Sequence, residues 1–229
     1  MNTILEELNS SNKFIELENQ IKNKKSPIDI SGLTSVSEVM CIARIVERIK
    51  NPILLITYNE IQAKNLVKDF SFFTDKAVFL PKKEIVTYDY VAESKNLPYE
   101  RIEVLNKIYE NKNIIIVTSI EALNQKIIAK DSLYKNVIDL KVGENCNLDI
   151  LKEKLIKLGY ERFDLIDGRG EFSVRGGIID VSINENMGIR IELWGDEIDS
   201  IRYFSIISQR STESSEKISS YPAHEYILE

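Results

Sequence analysis

The chain has 229 residues, 43% of them hydrophobic and 29% charged, and 30 Lys plus Arg against 36 Asp plus Glu leave a formal net charge of −6. This length and composition fit one large globular domain or two small ones with a real core, and exclude a disordered or fibrous chain. A mildly acidic chain is also poorly suited to grip nucleic acid over a broad surface, since that affinity comes from basic residues meeting phosphates. Glycine is unevenly placed: of nine, seven lie between Gly159 and Gly195, and only Gly32 precedes Gly143. The first half therefore cannot carry a Gly-rich phosphate loop, and the architecture is expected to change near residue 130. Cys41 and Cys146 form no CxxC, and the one His224 is distant, so neither a disulfide framework nor a metal site is supported. Cys41, in an apolar helical run, reads as a small buried hydrophobe. With no secretory signal and no apolar run near the ~20 residues that span a bilayer, the expectation is a cytosolic protein.

In chain order, residues 28–31 (IDIS) read as a short strand ending at Gly32. The next segment carries Val39, Ile42, Ile45, Val46 and Ile49 at helical spacing and stops at Asn51-Pro52. The continuous apolar run Ile53–Thr57 is the pattern of a strand buried on both faces of a parallel sheet. A second helix follows Asn59, with Ile61, Leu66, Val67 and Phe70 on one side, and then a strand over Ala77–Leu80 that Pro81 stops. A helix opens with Pro98 in its first turn, a strand covers Ile114–Ser119, and a closing helix is expected over Glu121–Ile128. Alternating strands and helices predict an α/β domain over 1–129 with a parallel sheet and right-handed crossovers.

In such a fold the loop after the first strand is where a nucleotide phosphate binds. A P-loop requires GxxxxGK[ST], in which backbone N–H groups and Lys hold phosphates and Ser/Thr ligates magnesium. Here Gly32 is present, but Ser37 replaces the second Gly, Glu38 the Lys, and Val39 the hydroxyl residue. A carboxylate in place of the phosphate-binding Lys repels the ligand. The first domain is therefore expected to be a degenerate P-loop (RecA/helicase-like) domain without ATP hydrolysis.

The second half reads as a small α+β domain over 130–212 with an antiparallel sheet. A strand over 136–142 precedes a helix capped by Asn147 and closed by Gly159. Three alternating strands follow. Phe172 and Val174 oppose Glu171, Ser173 and Arg175; Ile179, Val181 and Ile183 oppose Asp180 and Ser182; Ile189, Ile191 and Leu193 oppose Arg190, Glu192 and Trp194. Gly176-Gly177 and Gly195-Asp196 are turn signals. Trp194 is anomalous, because it falls on the polar face with Arg190 and near Arg175. An exposed Trp flanked by arginines has the composition of a protein–protein hot spot. Equally open at this point, Trp194 tucks under a loop and the arginines pair with Glu171, Glu192 or Asp180.

The run GYERFDLIDGRGEFSVRGGIIDVSI, followed by IRIELWGDEIDSIRYFSIISQRSTE, resembles a known signature over residues 159–213. It is similar to the module shared by the excinuclease protein UvrB and the N-terminal part of the bacterial transcription-repair coupling factor (Mfd), and the preceding α/β half fits the same module. UvrB proper would keep an intact P-loop and a long DNA-clamping β-hairpin. This chain has Ser37 and Glu38, and Tyr88-Asp89-Tyr90 is followed almost at once by the helix at Pro98. The resemblance is thus to the coupling factor's module. It implies a non-catalytic fragment, without cofactor, that recruits the excinuclease protein UvrA to stalled RNA polymerase. The parent would be an ATP-dependent translocase whose polymerase-binding domain, motor and C-terminal masking domain lie elsewhere in the chain. The family's contact residues fall on Arg175, Arg190 and Trp194. Residues 213–229 would begin a return to the first domain. The alternative is a UvrB/helicase-type nucleotide- or DNA-handling domain.

The remaining charged groups read as structural. Arg202 and Arg210 have Asp196, Glu197 and Asp199 nearby for ion pairs or turn anchors. Asp167, Arg169 and Glu171 lack the His or nucleophile of an acid–base site. Lys22, Lys24 and Lys25 are too few to hold DNA, and Tyr88, Tyr90, Tyr99 and Tyr109 have no basic surround for base stacking, so little direct DNA binding is expected.

Overall fold

The computed structural model describes residues 3–84, 96–111 and 113–226. Tyr88, Asp89 and Tyr90 lie outside the described residues. The chain divides into two compact units, Met1–Lys83 with Val104–Lys126, and Glu84–Glu103 with Ile127–Glu229.

The first unit contains α1 (Thr3–Glu7), α2 (Asn12–Lys22), α3 (Ser35–Ile49), β1 (Ile53–Thr57), α4 (Glu60–Phe70) and β2 (Ala77–Leu80). After α5 (Leu97–Glu110), which contributes to both units, come β3 (Ile115–Ser119) and α6 (Ile120–Leu123). Among the described residues, β1, β3 and β2 lie side by side in that order, and both pairings are parallel, as the alternation of elements predicts. One face carries Ile115 and Val117 against Val39, Ala43 and Val46 of α3 and Ala63 and Phe70 of α4.

Four expectations for this unit fail, the first at Ile61, which helical spacing places with Leu66, Val67 and Phe70 but which is 72% exposed. Residues 28–31 form no strand. Pro27 supplies no N–H, only four residues separate it from Gly32, and Ile28 packs against the cluster of Phe14, Leu17 and Ile45. The run Ile53–Thr57 is not buried on both faces: β1 is an edge strand whose Leu54 and Ile56 are exposed, while Ile53 and Leu55 pack inward. The closing helix ends at Leu123. Beyond it, Gln125 accepts from the Lys83 backbone N–H at 2.6 Å and donates to the Lys83 carbonyl at 3.1 Å, bonding the neighbouring segment instead of continuing the helix.

The second unit continues with α7 (Lys130–Lys135), β4 (Ile138–Lys141) and α8 (Leu148–Lys157). The strands β5 (Glu161–Arg162), β6 (Glu171–Arg175), β7 (Ile178–Ser182), β8 (Met187–Trp194), β9 (Glu197–Ser205), β10 (Ser211–Ser215) and β11 (Lys217–Ser220) follow. Among the described residues, β10-β9-β8-β7-β6-β5 form one sheet, antiparallel except for β5 with β6, and β4 pairs antiparallel with β11. In the expected return segment, β11 and the buried Ala223 stay with the second unit.

Alternation assigns the inner face except at Ile183, which is exposed just past β7. Phe172, Ile179, Val181, Ile189 and Ile191 pack against Leu151 and Leu155 of α8 and Leu158 just after it. Asn147 caps α8 by accepting from the N–H groups of Asp149 and Ile150 at 3.0 and 3.1 Å. In β9, Ile198 and Ile201 both face inward although three residues apart. The register step that sets Glu192 opposite Ser200 but Leu193 opposite Ile198 leaves Asp199 as an extra, bulged residue and resets the alternation. A buried ion pair anchors the start of α5 within this unit: Arg101 donates to Glu225 at 2.5 Å, and the Ile128 N–H donates to the same carboxylate at 3.1 Å. Tyr99, expected at the surface, packs against the core, and burial pushes its hydroxyl pKa up to about 12.

The outer face also differs from expectation: it is polar but not solvated. Ser173, Asp180 and Ser182 are buried, and Phe204 with Ile166 and Ile206 forms a second apolar cluster there. Gly188 makes room for it. A Cβ at Gly188 would lie 2.6 Å from the Phe204 ring and 3.0 Å from Ile166. Gly188→Ala should therefore cost about 1–3 kcal/mol in urea-induced unfolding by overpacking, and an unchanged midpoint would show that the ring has space to yield.

Candidate functional site

The site is built from two neighbouring hairpins. β6 and β7 meet at Gly176-Gly177, and β8 and β9 meet at Gly195-Asp196. Gly176 and Gly195 hold φ of 60° and 63°, a backbone region that favours glycine. The Leu193 N–H donates to the Gly177 carbonyl at 2.8 Å, so both turns lie at the same end of the sheet. That end carries Arg175 on one hairpin and Trp194 on the other. Trp194 is 84% exposed, which excludes the reading that it tucks under a loop.

The two arginines are held from below by one carboxylate. Asp180 is fully buried; its Oδ1 accepts from Arg190 Nε at 2.7 Å, and its Oδ2 accepts from Arg190 at 2.9 Å and from Arg175 at 2.6 Å. Asp180 sits directly opposite Arg190 in the β7–β8 register, so the fork-to-fork geometry follows from strand pairing. The Arg190 guanidinium also lies 4.7 Å from the centre of the Phe204 ring. The hydrogen bond from Arg190 to Asp180 raises the Arg190 pKa, fixing its charge more firmly still. The side chain of Arg190 is only 17% exposed, against 44% for Arg175. The structure thus brings Arg175 and Arg190 together on Asp180, with Trp194 at the same sheet end as Arg175, but does not treat them alike: Arg190 is mostly engaged within the fold.

Arg202 lies opposite Arg190 across β8 and β9, a like-charge pairing that an ion pair between Arg202 and Glu192 relieves. Ser200 also donates to Glu192, at 3.0 Å. Arg202 is therefore structural, as expected, although its partner is Glu192 and not Asp196, Glu197 or Asp199. Burial pushes the Glu192 carboxyl upward, but the hydrogen bonds from Arg202 and Ser200 and the charges of Arg202 and Arg190 outweigh it and leave the pKa below 4.5. In the nearby loop, Glu171 accepts from the N–H groups of Asp167 and Gly168 at 2.9 and 3.1 Å, and Arg169 lies 3.8 Å from Glu103 and 3.9 Å from Glu185. Among the described residues, no group of three or more His, Cys, Asp or Glu could hold a metal ion, and no helix is long and apolar enough to cross a membrane.

The segment Gly32–Val39 is built as a helix start. Thr34 N–H donates to Ser37 Oγ at 2.7 Å, and Ser37 N–H donates to Thr34 Oγ1 at 3.4 Å, a reciprocal capping box at the N-terminus of α3. Glu38 is exposed in the first turn, where the helix dipole favours a carboxylate, and Val39 is fully buried in the core.

Comparison with known proteins follows the same division. Residues 138–226 match the UvrB interaction domain. The matched span lies within the second unit and includes Arg175, Asp180, Arg190 and Trp194. The chain as a whole is similar to the transcription-repair-coupling factor of Bacillus subtilis (strain 168), 32% identical over 202 residues and 87% of the chain. Its similarity to the same factor of Staphylococcus aureus (strain bovine RF122 / ET3-1) is 32% over 223 residues and 96% of the chain. The chain spans 17% and 19% of those two relatives. The resemblance carried by the glycine-rich signature therefore extends over nearly the whole sequence.

What sequence reasoning left open was which acid holds the arginines. Strand alternation alone placed Asp180 on the polar face, and its register opposite Arg190 is the signal that singles it out. The Glu192 pairing makes a pH prediction. A carboxylate held below its ordinary value stabilises the fold above that value and loses the contribution as pH falls through the lowered pKa. The stability difference between wild type and Glu192→Gln should be largest near neutrality and shrink between about pH 5 and pH 3 in urea titrations. A difference independent of pH would show that the pairing contributes nothing as an ion pair.

Proposed function

We propose that this chain is a non-catalytic recruitment module of a transcription-repair-coupling factor, and that its second unit binds UvrA through the face carrying Arg175, Arg190 and Trp194. The observation that carries the reading is the exposed Trp194 at the same end of the sheet as a half-exposed, pre-ordered arginine, within a span that matches the UvrB interaction domain. Trp and Arg are the residues most often found at interface hot spots. In this reading residues 1–129 are a P-loop-like domain that has lost its chemistry, and 130–212 form the binding domain. The parent would act in the cytoplasm as an ATP-driven translocase on stalled RNA polymerase, with the recruitment face masked by a C-terminal domain until the motor engages DNA.

The geometry at the start of α3 supports the absence of nucleotide chemistry here. Ser37 and Thr34 satisfy each other's N–H groups, the donors a phosphate would need, and Glu38 adds negative charge. Calorimetric titration with ATP and magnesium should give no binding heat. Micromolar binding would overturn the adaptor reading in favour of a nucleotide-handling domain.

The recruitment reading is tested by titrating UvrA of the same organism against the 229-residue chain. Arg175→Ala and Trp194→Ala should each weaken binding by about 2 kcal/mol or more. If both variants bind as tightly as wild type, the assigned face is wrong.

A further inference from the structure

Asp180 has no place among the expected contact residues, yet the polar face is organised around it. Its carboxylate is buried and takes three charge-assisted hydrogen bonds from two arginines, drawing on three adjacent strands: Arg175 ends β6, Asp180 is central in β7, and Arg190 is in β8. Arg190 is clamped further by the Phe204 ring. Arg175 gives only one nitrogen to Asp180; its Nε and remaining terminal nitrogen make no hydrogen bond among the described residues. A solvent-exposed arginine ordinarily loses side-chain freedom when a partner captures it. Here Asp180 has already removed that freedom.

We propose that Asp180 is a positioning residue for the recruitment face: it presents Arg175 at the sheet end that carries Trp194, and Arg190 acts mainly through Asp180 and not by touching the partner. The surface that fits this arrangement offers a carboxylate to the outward donors of Arg175, next to an apolar recess that takes the Trp194 indole. The inference rests on the UvrA-binding reading, and a double-mutant cycle separates the two.

With UvrA as the probe and the 229-residue chain as the binder, Asp180→Asn should weaken binding about tenfold in the wild-type background and again in Trp194→Ala, but less than about twofold in Arg175→Ala. Arg190→Lys breaks the two-pronged bond to Asp180 while keeping the charge, and its loss should likewise vanish in Arg175→Ala. It carries the cycle if Asp180→Asn does not fold by circular dichroism. A loss of equal size with and without Arg175 would overturn the proposal, because Asp180 would then support the fold or Arg190 would contact the partner itself. Wild-type binding by Arg175→Ala and Trp194→Ala together would instead overturn the face on which the proposal rests.

Discussion

A carboxylate with no exposure to water must be paired, and in this protein that requirement falls on Asp180. Removing one partner of a buried pair is typically destabilising, so the pairing adds to the apolar core in holding the strand register that places Arg190 opposite Asp180. The neighbouring features follow from that constraint. The Arg190 fork needs a flat surface to rest on, which Phe204 supplies, and Phe204 needs the space that Gly188 leaves in the facing strand. Arg202, brought opposite Arg190, requires its own acid and finds it in Glu192. The result is a sheet with one face apolar against α8 and the other carrying a partly buried ion-pair network around Asp180 and Glu192.

The exposed end of the sheet depends on this rigidity. Burying the indole of a tryptophan is strongly favourable, so leaving Trp194 in water sacrifices stability that the fold could have used. The backbone gives it no local cover: it ends β8 immediately before the Gly195 turn, and its inward neighbour Leu193 packs into the core. The bulge at Asp199 lies just across the hairpin. Without it, Ile198 and Ile201 could not both face the core, and the strand end that carries Trp194 would be set differently against the Gly176-Gly177 turn. Bulges that re-aim a strand next to a functional surface are common.

How much of this was legible in the sequence depends on which interactions are local. The second unit's strands, turns and inner face could be read because a period of two and glycine turns are properties of the chain itself. Alternation also puts Arg175 and Arg190 on the outward face, where Asp180 holds both. The burial of that face was not legible, because it comes from Phe204 and Ile166, which reach it only after the bulge and the loop before Glu171 have set the chain's path. In the first unit, helical periodicity located α3 and α4, but pattern could not show that β1 lies at an edge. The apolar run Ile53–Thr57 looks the same whether one face or two is covered. Residues 28–31 have strand-like composition, yet a strand is a pairing, and Ile28 gains more from the cluster of Phe14, Leu17 and Ile45.

The start of α3 is a helix end whose first N–H groups are satisfied within the chain itself. A phosphate-binding helix leaves its first N–H groups unsatisfied until the anion arrives, which leaves the free protein with unpaired donors at the helix end. Thr34 and Ser37 close that gap internally, Glu38 adds the charge that the helix dipole prefers, and Val39 places a full apolar side chain in the core. Each of these features stabilises the free state and weakens the case for an anion. A helix end that is complete on its own offers an anion few unpaired donors.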